Sequence, residues 1–186
     1  MNLLFLKEYI KDIRNVGAIA PSSRFLARKM LKSIDFDTAK VIIEYGPGTG
    51  VFTNEIAGRI KPDTTLIVIE TNPIFYQKLC EKYKSRKNIE IINASAADIH
   101  SLQKSRSLPA PDYIISGLPF AALPAHVSKK ILRDTSKLLG NTGEFITFQY
   151  TLLKKPLLNS YFNSIIVSRE LRNIPPAYIL RCKRLE

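Results

Sequence analysis

"VIIEYGPGTGVFT" (residues 41–53) runs from an apolar, β-branched segment straight into three glycines within five positions, Gly46, Gly48 and Gly50. Glycine weakens regular structure, so a cluster at the end of a strand marks backbone that passes close to something. The stretch predicts a strand, a glycine turn and a helix in succession. Open α/β sheets bind their ligands at the carboxyl edge where such a turn sits.

Outward from that turn, strand-like runs recur. The first covers Lys40–Tyr45, followed by Thr65–Glu70, Ile89–Asn93, Asp112–Ser116, Glu144–Tyr150, Ser164–Arg169 and Ala177–Lys183. Among the first five lie stretches of helical length, including Asn54–Ile60, Pro73–Ser85 and Pro124–Leu139. Strands alternating with helices predict an α/β fold, a parallel sheet covered on both faces. Only "ELRNIPP" separates the last two strands, too little for a parallel crossover, so they should form an antiparallel hairpin. No repeat, linker or low-complexity tract interrupts the pattern.

A chain of 186 residues, 45% hydrophobic, supports one full core and not two comfortable domains. No apolar run approaches the ~20 residues of a membrane span. The amino terminus lacks the order of a secretory signal, so a cytoplasmic location is expected. Cys80 and Cys182 are too few for a disulfide framework or a cysteine metal cluster, and no metal is expected. The net charge of +12 is concentrated at the ends: residues 1–32 and 154–186 each carry seven basic and two acidic side chains. Such ends suit an anionic partner, phospholipid headgroups or nucleic acid. Within residues 1–32, Leu3, Leu6, Ile10 and Ile13 recur at helical spacing opposite Lys7, Lys11 and Arg14, until Gly17 and Pro21 end the pattern. This amphipathic helix either docks on the protein's own core or lies on a membrane surface. The remaining residues, 33–186, form the domain proper.

The glycine turn departs from two common phosphate loops. The sixth position of a G-x-G-x-x-G pattern is Val51, and no lysine closes the loop as in a Walker motif. Glu44 would repel a phosphate and attract a cation. Twenty residues past Gly50, Glu70 ends the second strand, where a carboxylate can accept from both hydroxyls of a ribose. In "NASAADIH", Asp98 can accept from an adenine amino group, although a helix cap would also use it. In this order the three features describe a pocket for an adenosine without phosphates.

"IIEYGPGTGVFT", Glu70 and Asp98 resemble the class I S-adenosylmethionine-dependent methyltransferases, over Lys40 to Lys183. The resemblance implies a Rossmann-like fold of seven strands, mostly parallel, with helices on both faces and a carboxyl-terminal antiparallel hairpin. It also implies S-adenosyl-L-methionine as cofactor. Glu44, Gly46, Pro47, Gly48, Thr49 and Gly50 would pass beneath its methionine part. Glu70 and Thr71 would hold the ribose, with Ala97 and Asp98 at the adenine. Ser116, Gly117 and Leu118 would close the pocket from the fourth strand, and Ser22 and Ser23 from the amino-terminal side.

Two branches differ in acceptor. "SGLPF" (residues 116–120) resembles the Asn-(Leu/Ile)-Pro-(Tyr/Phe) motif of rRNA adenine dimethyltransferases, with Gly117 at the asparagine position. In those enzymes the asparagine side chain and a backbone carbonyl accept the protons of the target amine, which glycine cannot do. The separate helical domain that many of them carry is not expected here. "GAIAPSSRFLARKM" (residues 17–30), "SGLPFAALP" (116–124) and "RNIPPAYIL" (172–180) instead resemble bacterial phospholipid N-methyltransferases, which convert phosphatidylethanolamine towards phosphatidylcholine. That branch implies peripheral attachment to the inner face of the cell membrane, with Arg14, Arg24, Arg28, Lys29 and Lys32 towards the lipid. RNA is the alternative partner. Phe120 and Tyr150 are the aromatic candidates to face the acceptor amine. His126 is a base candidate by position alone. A silent binding module with the same fold is disfavoured by the intact glycine loop and both acids.

Overall fold

The computed structural model describes residues 23–184. Ser22 and the amphipathic stretch before it lie outside the described residues. Seven strands form one sheet: β1 (Val41–Tyr45), β2 (Thr65–Glu70), β3 (Ile89–Asn93), β4 (Tyr113–Ser116), β5 (Glu144–Gln149), β6 (Ser164–Glu170) and β7 (Ala177–Lys183). Their order is β3-β2-β1-β4-β5-β7-β6, with the last two pairings antiparallel and the rest parallel. Six α-helices accompany them among the described residues: α1 (Arg24–Met30), α2 (Val51–Ala57), α3 (Pro73–Tyr83), α4 (Ile99–Arg106), α5 (Ala125–Leu139) and α6 (Lys155–Asn159).

Every residue of β1 is buried, as a central strand covered on both faces requires. Alternate side chains feed two cores. Ile43, Tyr45, Ile67, Ile114 and Phe145 pack with Ile131 and Leu132 of α5 on one face. Ile42, Leu66, Val68 and Ile146 pack on the other with α1, α2 and α3. Leu26, Ala27, Met30 and Leu31 are fully or almost fully buried in that second core.

The register sets the site. Tyr45 stands opposite both Ile69 and Ser116, and Ser116 opposite Thr147, so the ends of β2, β1, β4 and β5 share one edge. Gln149 opposes Tyr178 across the antiparallel pair, which brings the turn between β6 and β7 to that same edge. Helix α2 begins at Val51, three residues before the spacing predicts. Its N-cap is Gly50 at φ 81°, so the left-handed conformation that glycine tolerates turns the chain directly into the helix.

Candidate cofactor and acceptor site

The glycine turn is pinned to the second strand by main-chain and carboxylate bonds. The Gly46 N–H donates to the Ile69 carbonyl at 3.0 Å. The Gly48 N–H donates to one oxygen of Glu70 at 3.0 Å, and the Asn72 N–H to the other at 2.7 Å. Glu70 is therefore oriented from both sides while each oxygen keeps a lone pair. Burial raises its pKa, and the amide bonds from Asn72 and Gly48 oppose the rise. Thr71, beside it, is half-buried.

Glu44 sits beneath the turn, 1% exposed. The hydroxyl and main-chain N–H of Thr53 lie beside the Glu44 carboxyl, whose oxygens make no well-formed hydrogen bond among the described residues. Burial, with the charge of Glu70 adding, pushes the Glu44 pKa up to about 8, and Thr53 only partly opposes this. A cationic ligand beside it would favour its charged form. Above the turn, a Cβ added at Gly48 would meet nothing within 4 Å, so the backbone lies open there. The residues thus fit an adenosyl sulfonium: an open glycine floor, a buried acid below it and an oriented diol acceptor beside it. Pro47 is buried within the turn and Thr49 is exposed on it.

This arrangement carries a pH signature. A carboxyl whose folded pKa is raised favours the fold below its ordinary value near 4.5, and loses that contribution as pH rises through about 8. Stability should fall across this window by up to about 1.4 kcal/mol per pH unit for the one group. Glu44→Gln removes it. Urea unfolding is expected to show the variant more stable than the wild type at pH 8, with the gap shrinking towards pH 5, while affinity for S-adenosylmethionine falls. A gap independent of pH would mean that Glu44 does not titrate with folding.

The residues expected at the adenine, Ala97 and Asp98, lie after β3. The Ser95 hydroxyl accepts from the Ala97 N–H at 3.2 Å, and Lys130 of α5 donates to the Ala97 carbonyl. Lys130 also pairs with the buried Asp134 at 3.3 Å. Ala97 is buried, whereas Asp98 is exposed and makes no capping bond to α4, so its carboxylate is free for a ligand. The local helix-cap role is thereby set aside.

From β4, the Ser116 hydroxyl accepts from the Leu118 N–H at 3.2 Å, and the Leu118 carbonyl accepts from the Gln149 side chain at 3.0 Å. The Gly117 N–H donates to the Tyr45 carbonyl at 2.9 Å. A Cβ at Gly117 would lie 2.7 Å from the Gly46 carbonyl oxygen, closer than real Cβ atoms come. The loop after β4 and the glycine turn touch backbone to backbone.

Two expected residues stand elsewhere. Phe120 is 0% exposed and packs edge-on against Phe145, 6.1 Å between centroids. It is a core residue here and presents no wall to an acceptor. Burial of its whole ring against a neighbouring strand outweighs its position next to the loop. Ser23 caps α1 through its hydroxyl, and its N–H donates to Asn173 at 3.0 Å. Its bonds run to the β6–β7 turn and not to the glycine turn. Tyr150 follows β5 at that edge; the residue is half-buried and its hydroxyl is buried beside the Asn173 side chain. Burial raises its phenol, and the Asn173 side chain opposes this. His126 is exposed near the start of α5. Gln149 and Lys130 went unread in the sequence. Gln149 had a faint signal, a polar residue closing the apolar run "EFITFQ".

Comparison with known proteins fits this geometry. The family model for ribosomal RNA adenine dimethylase matches residues 22–155. An ornithine lipid N-methyltransferase of Singulisphaera acidiphila is 30% identical over 182 residues, covering 97% of this chain and 94% of that protein. A probable ribosomal RNA small subunit methyltransferase A of Methanosarcina barkeri is 27% identical over 110 residues, covering 59% of this chain and 34% of that protein. Among solved structures, the N-methyltransferase NodS from Bradyrhizobium japonicum superposes with a TM-score of 0.66 at 14% identity, covering 88% of this chain and 94% of that one. A precorrin-6y C5,15-methyltransferase from Geobacter metallireducens gives 0.64 at 15%, covering 86% and 87%. Among the described residues no helix is long and apolar enough to cross a membrane.

Proposed function

Because the chain belongs to the ribosomal RNA adenine dimethylase family and is an S-adenosylmethionine-dependent N-methyltransferase, we propose that its acceptor is the headgroup amine of a membrane lipid. Phosphatidylethanolamine and an ornithine lipid share that chemistry, an aliphatic amine at the bilayer surface. The observation that carries the reading is Gly117. It stands where RNA enzymes place the asparagine that accepts from the target amine, and its backbone contact with Gly46 leaves no room for a side chain. Similarity along nearly the whole length of a lipid N-methyltransferase supports the same choice, against matches covering smaller parts of the RNA enzymes.

The cofactor supplies an electrophilic methyl on a sulfonium. What the chain contributes is position: Glu70 and Asp98 hold the nucleoside, and the Ser116–Pro119 loop, fixed by Gln149, shapes the approach of the nitrogen. Alignment of reacting atoms supplies much of the rate enhancement in such a displacement. An aliphatic amine arrives protonated and must lose a proton before it can attack. Tyr150, its phenol raised by burial and its hydroxyl enclosed, is a poor base at neutral pH, so the proton leaves through water.

A headgroup panel tests this. Vesicles containing phosphatidylethanolamine or ornithine lipid should take label from radioactive cofactor, and pure phosphatidylcholine, whose nitrogen has no lone pair, should take none. Which of the two amine lipids labels faster identifies the headgroup. Labelling of neither would refute the lipid reading.

A further inference from the structure

Apolar side chains left in solvent are not spread evenly over this molecule. Among the described residues the exposed large hydrophobics are Phe25, Ile74, Leu153, Ile166, Leu171 and Ile174. Ile166 lies within the edge strand β6. The other five collect at the carboxyl edge that carries the glycine turn. Ile74 follows β2, Leu153 follows β5, and Leu171 and Ile174 occupy the β6–β7 turn. Phe25 is drawn to that turn by Arg172, whose guanidinium lies 4.5 Å over its ring. Leu153, Leu171 and Ile174 are 81%, 67% and 82% exposed.

Exposed acids concentrate at the opposite edge, mixed there with basic residues that include Lys84, Lys87, Lys104 and Arg106. The exposed carboxylates Asp35, Asp37, Asp63 and Asp112 precede β1, β2 or β4 at the opposite edge, where Lys61 and Lys40 pair with Asp37 and Asp63. At the carboxyl edge Arg24, Lys29, Arg169 and Arg172 are exposed. Glu170 is buried there and held by both arms of Arg172 at 2.9 and 3.0 Å, and Asp98 at the adenine side is the exposed acid.

We propose that this edge docks on an anionic lipid bilayer, with Leu153, Leu171 and Ile174 entering the interfacial zone and the basic side chains at headgroup level. The inference rests on the lipid reading of function and specifies how the site meets its substrate. Aliphatic tips on separate turns, with cations between them, match a surface that is apolar below and anionic above. Nucleic acid would leave the aliphatic tips without a role. Docked this way, the glycine turn faces the headgroups, so an acceptor amine is reached without lifting its lipid out of the membrane.

The chain contains no tryptophan, so a single introduced indole reports its own surroundings. L171W and I174W emission should shift to shorter wavelength on phosphatidylglycerol vesicles and be quenched by brominated acyl chains, while I166W stays unchanged. The double variant Leu171→Glu/Ile174→Glu should bind S-adenosylhomocysteine like the wild type and sediment with these vesicles about tenfold less or weaker. Unshifted emission from L171W and I174W on vesicles that sediment the protein would overturn the proposal. Wild-type sedimentation of the double variant would do the same, as would a shift produced by ribosomal RNA and not by vesicles. The function reading fails separately: insertion of both indoles without methylation of any amine lipid would leave the docking edge standing and remove the lipid acceptor.

Discussion

Calorimetric titration with S-adenosylhomocysteine is expected to show Glu70→Ala binding at least about a hundredfold more weakly than the wild type. Two ribose hydroxyls would lose their acceptor on desolvation, at roughly 1–3 kcal/mol for each group left unpaired. A second loss compounds the first. The same carboxylate holds the Gly48 and Asn72 amides at 3.0 and 2.7 Å, so its removal also frees the glycine turn. Glu70→Gln separates these effects, because the amide keeps one acceptor oxygen with both lone pairs and replaces the other with a donor that can accept neither bond. Its affinity should fall between the other two. Equal affinity in wild type and Glu70→Ala would reduce Glu70 to an ordinary charge at the end of a strand.

Gly117→Asn separates the two acceptor chemistries. An RNA enzyme lacking only its asparagine should gain activity on RNA when the side chain is supplied. The contact at this position argues for the opposite outcome. The first carbon of any side chain would lie 2.7 Å from the Gly46 carbonyl oxygen, which belongs to backbone and cannot swing aside. Forcing such contacts costs typically about 1–3 kcal/mol, here drawn from the fit between the acceptor loop and the cofactor turn. Activity on amine-lipid vesicles should drop about tenfold or more, with weaker cofactor binding and no gain on RNA. Gly117→Ala should do nearly as much harm, since the clash lies at Cβ. Restored RNA methylation with undiminished activity on vesicles would contradict this account.

Much of this was open to reading from the chain. The runs Thr65–Glu70, Ile89–Asn93 and Ala177–Lys183 form strands with the bounds expected, because β-branched residues bounded by turn formers leave little choice. The hairpin followed from a linker too short for any crossover. The glycine turn and Glu70 meet because the parallel register sets Tyr45 against Ile69, which spacing alone foreshadows. What escaped depends on contacts distant in sequence. Helix α4 buries little beyond Ile99, so it has almost no apolar face to detect. Phe120 looked like a site residue from its place after Leu118-Pro119, yet Phe145 from the adjoining strand draws it inward. Lys130 reaches Ala97 from a helix that begins 28 positions later. The interlock of Gly117 with Gly46 is invisible to composition, because it joins two turns across the gap between β1 and β4.

The claim that the methyl goes to a lipid amine is tested most directly by competition in one vessel. Purified protein, cofactor with a labelled methyl group, amine-lipid vesicles and ribosomal RNA are incubated together, and the organic and aqueous phases are analysed by mass spectrometry. The account predicts label on the headgroup nitrogen of the extracted lipid, in increments of whole methyl groups, and unmethylated adenines in the RNA. Label on adenine with none in the lipid phase would contradict it.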